Sequence, residues 1–295
     1  MRPQPVESAS DIEKIARVLL KDSKAFGKFP TPVDQITRYT EIQIANGVDL
    51  SKVEPSFFSK KFDIFNSAMR KILGIIDIRH KTVYLDLSQN PSRQNFIKLH
   101  EVGHDALPWQ KESLMYAEDE RTLNPLATEI FEREANYFAS CALFQLERFD
   151  EEADKLPLSL NSAMLLSRKI GSSVQAAVRR YVEYSRKRCA VLVLEKPSQN
   201  RTFKAKIRNY FESPSFKIEF SDLIWPEECG EEFQFILDLK TKRKFHENGV
   251  LNVTRADLQS MTLTYHYFNN GYNAFVFLIP PGEKNHSRTK IIVNS

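Results

Sequence analysis

At 295 residues the chain is long enough to bury more than one hydrophobic core, and its apolar fraction of 42% is ordinary for a soluble protein. No apolar run approaches a membrane span, and the first residues, Met-Arg-Pro-Gln-Pro-Val-Glu-Ser, lack the apolar stretch of a secretory signal. The net charge of +4, with its excess after residue 186, is too weak to mark a nucleic-acid binder by itself. Three scattered cysteines, Cys141, Cys189 and Cys229, form no Cys-x-x-Cys pair and fit a reducing compartment. The expectation is a cytoplasmic protein without a membrane partner.

The chain opens with a helix predicted over 9–27, capped by Ser10, in which Ile12, Ile15, Ala16 and Leu19 fall at helical spacing. Phe29-Pro30-Thr31-Pro32 breaks it, and Val33 to Ile44 reads as a second helix. Phe57, Phe58, Phe62 and Phe65 suggest that residues 45–70 pack against the core. Ile72–Ile78 and Thr82–Leu87 are rich in strand formers, and Arg79-His80-Lys81 can turn between them, so a hairpin is expected. An edge of that hairpin can hold an extended peptide by main-chain hydrogen bonds.

Next comes His100-Glu101-Val102-Gly103-His104. Residues four apart on a helix share a face, about 6 Å apart along the axis. His100 and His104 can therefore reach one Zn²⁺, with the carboxylate of Glu101 beside the metal's water. The helical setting is supported by Ser88, Asn90 and Pro91 before the motif and Pro108 beyond it. The polar stretch Lys111–Leu123 reads as a connection over the mouth of the site.

Two histidines need a third protein ligand while leaving a position for water. The helix predicted over Asn124–Gln145 offers Glu129, Glu132 and Glu134. Glu132 is the expected ligand. Asn136, four residues on, shares its face and can hydrogen-bond the second nitrogen of a ligand histidine. Glu134 is expected to be a solvent-facing charge, and Ala135 lets the two helices approach. The resulting chemistry is peptide hydrolysis: the metal acidifies its water and polarises the carbonyl, and Glu101 moves the proton. Tyr116 and His80 are the candidate oxyanion donors.

His100-Glu101-Val102-Gly103-His104, followed by Glu132-Arg133-Glu134-Ala135-Asn136-Tyr137-Phe138-Ala139, resembles the ImmA/IrrE family of metallopeptidases. The resemblance implies zinc ligands at His100, His104 and Glu132 and a catalytic carboxylate at Glu101. It also implies a protein substrate, a helix-turn-helix repressor whose cleavage releases repressed genes. One departure is Ala142-Leu143-Phe144-Gln145, where members often carry Leu-Leu-Met-Pro.

Leu158 to Arg186 reads as two short helices around Gly171, similar to the helix-turn-helix unit that follows the peptidase part in IrrE-type members. Packing and DNA contact are both open to it; Arg179, Arg180, Arg186, Lys187 and Arg188 bear on the latter. From Cys189 onward the chain is strand-like, with runs at Ala190–Leu194, Phe216–Phe220, Phe233–Leu237, Leu263–Phe268 and Asn273–Ile279, and a turn at Asn270-Gly271. Trp225, Cys229 and His246 read as ordinary core or loop residues, and the residues from Pro280 as a frayed end.

The expected fold is α+β in three parts. Residues 1–155 form a zincin-like, mostly helical peptidase domain with a small sheet. Residues 156–188 form the helix-turn-helix-like unit. Residues 189–295 form a strand-rich domain, GAF-like by the family resemblance or another α+β module. The alternative to a peptidase is a DNA-binding regulator in which zinc is structural or vestigial.

Overall fold

Apolar side chains at helical spacing form α1 (Ala9–Asp22), which buries Ile12, Ala16, Leu19 and Leu20. The computed structural model describes residues 6–52, 74–120, 125–197 and 203–283. The chain divides into two compact units, one of Met1–Phe149 with Lys169–Ser173 and one of Asp150–Arg168 with Val174–Ser295. Both mix helices with sheet, so the fold class is α+β.

In the first unit, α1 ends earlier than the sequence suggests, and Lys24 then turns the chain with a positive φ. Its N-cap position is Ser8, not Ser10, and the Ser8 hydroxyl is given to Glu134 rather than to the helix end. The second helix, α2 (Val33–Tyr39), also stops short. Gln43 and Ile44, expected to end it, instead open β1 (Gln43–Asp49). The predicted hairpin is present as β2 (Gly74–Asp77) and β3 (Thr82–Leu85), antiparallel, with Ile76 opposite Val83. β1 runs parallel to β3 on its other side, which explains the missed strand: its partner lies about forty residues away in sequence. Among the described residues, the sheet order β1-β3-β2 leaves β2 at an edge. The phenylalanines at 57, 58, 62 and 65 lie outside the described residues.

The motif helix is α3 (Pro91–Ala106). Asn90 caps it, its side-chain oxygen accepting from the Arg93 N–H at 3.0 Å, and Pro91 occupies the first turn. Pro108 does more than limit it. It opens α4 (Pro108–Glu120), a helix where the sequence suggested a polar connection. Its polar surface misled that reading, because a helix lying on a core needs only part of its circumference apolar. The long helix α5 (Pro125–Phe144) follows as expected, then the short α6 (Glu147–Ala153).

In the second half of the chain, α7 (Leu160–Ile170) and α8 (Val174–Glu183) flank Gly171, whose φ of +82° suits glycine. Beyond them, β4 (Ala190–Leu194) is buried along its whole length, as a central strand must be. β5 (Ala205–Glu212) pairs with it antiparallel. Two expected strands are helices. Phe216–Phe220 belongs to α9 (Pro214–Phe220), because Ser213 caps that segment, accepting from the Phe216 N–H at 3.2 Å, and Pro214 sits at its first position. After the short β6 (Leu223–Ile224) and β7 (Glu228–Cys229), residues 234–237 lie in α10 (Gln234–Lys240), where Phe235, Ile236 and Leu239 are buried at helical spacing. β8 (Phe245–Arg255), β9 (Ser260–Asn269) and β10 (Ala274–Ile279) complete a sheet of order β6-β8-β9-β10-β4-β5-β7. Asn270-Gly271 turns β9 into β10, with Gly271 at φ +87°. Residues beyond 283 lie outside the described residues. Among the described residues, no helix is long and apolar enough to cross a membrane.

Candidate metal centre

Leu99, His100, Glu101, Val102, Gly103 and His104 of α3 are all buried. α5 packs against it where Gly103 meets Ala135 and Phe138; a Cβ on Gly103 would stand 3.1 Å from Phe138 Cδ1. This close approach brings the Glu132 carboxylate to both rings. Its Oε2 lies 3.2 Å from His100 Nε2 and its Oε1 3.5 Å from His104 Nε2. The two Nε2 atoms are 3.1 Å apart, with the ring planes at 85°. Among the described residues, His100, His104 and Glu132 form a group able to hold a metal ion, their ligand atoms all within 4.8 Å of one another.

The donor set fits zinc. Bonds of about 2.0–2.1 Å at tetrahedral angles require donors roughly 3.3–3.4 Å apart, and the separations here are 3.1, 3.2 and 3.5 Å. Three protein donors leave one position open, as in hydrolytic rather than structural sites. The electrostatics agree. Burial raises the Glu132 carboxyl, yet the hydrogen bonds and positive charge of His100 and His104 outweigh it and hold the group far below the usual carboxylate range. Burial lowers the His104 imidazole, yet the Glu132 hydrogen bond and the charges of Glu101 and Glu132 leave it above its ordinary value. Cations, whether protons or a metal ion, are favoured in this cluster.

Glu101 is 2% exposed, and burial raises its carboxyl above the ordinary value. The Ile76 N–H of β2 hydrogen-bonds to the carboxylate, while Glu101 Oε1 is buried with no hydrogen-bond partner among the described residues. The strand can come this close because residue 74 is glycine. A Cβ there would lie 3.1 Å from Glu101 Oε1 and an impossible 2.3 Å from Ile97 Cγ2.

Two expectations need correction. Asn136 does not reach a histidine: it is exposed, and its amide donates to the Glu132 carbonyl at 2.7 Å, one turn back along the same helix. The partner of His104 Nδ1 is Gln110 Oε1, at 2.7 Å. Nor is Glu134 a solvent-facing charge. It is 7% exposed and accepts from Trp109 Nε1 at 2.7 Å, from Gln110 Nε2 at 2.6 Å and from Ser8 Oγ. The cause is α4, which covers that side of α5. Pro108, read as the first position of a new helix rather than the end of the old one, was the available signal. His80 stands exposed at the hairpin turn, its Nδ1 2.9 Å from Asp77 Oδ2. Tyr116 falls in α4 and its side chain lies outside the described residues.

Residues 58–181 match the family model described as the IrrE N-terminal-like domain, Peptidase_M78. The matched segment contains every residue of the cluster. No curated protein matches the chain in sequence. Among solved structures, the chain is similar to a Mycobacterium tuberculosis transcriptional regulator, at 14% identity, with 91% of this chain and 75% of that chain covered and a TM-score of 0.49.

Proposed function

We propose, from the match of residues 58–181 to the IrrE N-terminal-like domain model, that the chain is a zinc-dependent endopeptidase acting on a helix-turn-helix transcriptional repressor, so that cleavage derepresses genes. The observation that carries the reading is the placement of His100, His104 and Glu132 donors at 3.1–3.5 Å separations beside the buried Oε1 of Glu101, which has no hydrogen-bond partner among the described residues. The substrate follows from the family resemblance alone.

His100, His104 and Glu132 would hold the ion, which supplies Lewis acidity toward a carbonyl and a water of lowered pKa. Glu101 acts as general base and then general acid. It takes the proton of the attacking water on Oε1 and returns it to the leaving amine. The Ile76 N–H holds the carboxylate in place. β2, an edge strand among the described residues, is the natural place for an extended peptide to pair. Tyr116 and His80 remain the candidate oxyanion donors.

The peptidase part is assigned to residues 1–155, a helix-turn-helix-like unit to 156–188, and a strand-rich domain of GAF-like or other α+β kind to 189–295. The protein is assigned to the cytoplasm, with DNA as a less favoured partner.

The test pairs the purified, zinc-loaded protein with a helix-turn-helix repressor encoded beside it. Cleavage is expected from the wild type and is abolished by chelation. Glu101→Gln is expected to keep one zinc per chain and lose cleavage. Undiminished proteolysis by that variant excludes Glu101 as the base. Absence of cleavage together with salt-dependent binding of duplex DNA favours a regulator instead.

A further inference from the structure

We propose that Gln110 and Glu134 are positioning residues that fix the tautomer of His104, keeping its proton on Nδ1 and presenting the Nε2 lone pair to the metal. The metal's role rests on the peptidase reading; the tautomer itself does not.

The argument follows donor and acceptor polarity from the outside inward. The Glu134 carboxylate is acceptor-only, and Trp109 Nε1 and Ser8 Oγ hold it in place. Gln110 is fully buried, and its side-chain nitrogen lies 2.6 Å from Glu134 Oε2 and 3.1 Å from the Phe131 carbonyl oxygen. Neither of those oxygens can donate. A reversed amide would set its own oxygen against both of them in a buried site, so the amide nitrogen must face them. The Gln110 oxygen then faces His104 Nδ1 at 2.7 Å, and an oxygen can only accept there. Nδ1 therefore carries hydrogen. In the neutral ring Nε2 is then unprotonated, and it points at His100 Nε2 and Glu132.

Helix α5 thus acts on the metal centre twice. Glu132 offers a donor directly, and Glu134, two residues on, orients a ligand of another helix through Gln110. Contacts of this kind raise ligand basicity, and their loss typically weakens metal affinity by about 10–100-fold.

The test begins with nitrogen-15 NMR of the metal-free wild type, at a pH high enough that the imidazole is neutral; the spectrum of His104→Gln assigns the signals. The expected spectrum shows hydrogen on His104 Nδ1. Hydrogen on Nε2 in the wild type overturns the proposal. In Gln110→Leu, shown to be folded by circular dichroism, His104 should shift toward the Nε2–H form. Its zinc affinity, by chelator competition, should fall about 10–100-fold, with a smaller loss in Glu134→Gln. A folded Gln110→Leu that binds zinc as the wild type does overturns the proposal. If the wild type shows hydrogen on Nδ1 but takes up no zinc, the positioning stands and the peptidase reading falls.

Discussion

Gly103 faces Ala135 so closely that a Cβ on Gly103 would stand 3.3 Å from the Ala135 Cα. The helix axes can approach there only because both side chains are small, and Glu132 reaches the histidines by virtue of that approach. Gly103→Val should overpack the contact, costing about 1–3 kcal/mol of stability. It should also weaken zinc binding by moving Glu132 outward. Denaturant titration and chelator competition measure the two effects. A valine variant as stable and as tight as the wild type would show that the close approach is dispensable.

Glu132 and Glu101 should separate cleanly in function. Glu132→Ala removes a donor and should weaken zinc affinity by more than the roughly 10–100-fold of an outer-shell change. Glu101→Gln should bind zinc normally and lower turnover by about 100-fold or more, as expected for loss of a general base. Zinc content after dialysis, measured beside cleavage rate, distinguishes them. Equal zinc loss in both variants would mean that Glu101 serves the metal rather than the proton.

The metal-free protein should show a bounded pH range of stability. The Glu132 carboxyl is lower in the folded state than in the unfolded chain, so its contribution is present above the ordinary carboxylate range and is lost as pH falls. The His104 imidazole is higher in the folded state, so its contribution is present below the ordinary imidazole value and is lost as pH rises through the raised one. Glu132→Gln should flatten both limbs. Zinc competes with the imidazole protons, so its affinity should rise with pH over the upper limb. Urea denaturation of the apoprotein across pH reads the first effect; unchanged slopes in Glu132→Gln would refute the coupling.

Asp238 anchors the second unit. It is 2% exposed and accepts from Tyr265 Oη at 2.9 Å and Arg243 Nη1 at 2.8 Å, with His246 Nδ1 at 3.0 Å. Asp238→Ala strands a buried tyrosine hydroxyl and should cost on the order of 2–3 kcal/mol. Thermal unfolding followed by tryptophan fluorescence measures the loss. A shift near zero would mean that water or another group replaces the carboxylate.

The site was legible where chemistry depends on spacing along one helix. His100, Glu101 and His104 stand out by spacing, and Glu132 was the candidate third donor on the next helix, although the asparagine contact expected beside it is not made. What could not be read was the layer behind them. Gln110 lies just before the polar stretch that reads as a connection, and Glu134 looks like any exposed charge until α4 is known to cover it. The same blindness to neighbours accounts for β1, whose parallel partner is remote in sequence. At Phe216 and Phe235, alternating apolar residues suggested strands, but Ser213-Pro214 at the start of α9 and the buried face of α10 decided for helices. Local start signals outweighed a period-two pattern only five residues long.

Zinc-edge anomalous diffraction from crystals of the zinc-loaded protein tests the metal centre most directly. The expected result is one peak per chain, about 2.0–2.2 Å from His100 Nε2, His104 Nε2 and one Glu132 oxygen, with Glu101 near it but not bonded. A peak elsewhere, or none at full zinc occupancy in solution, would contradict the assignment of these residues to a metal site.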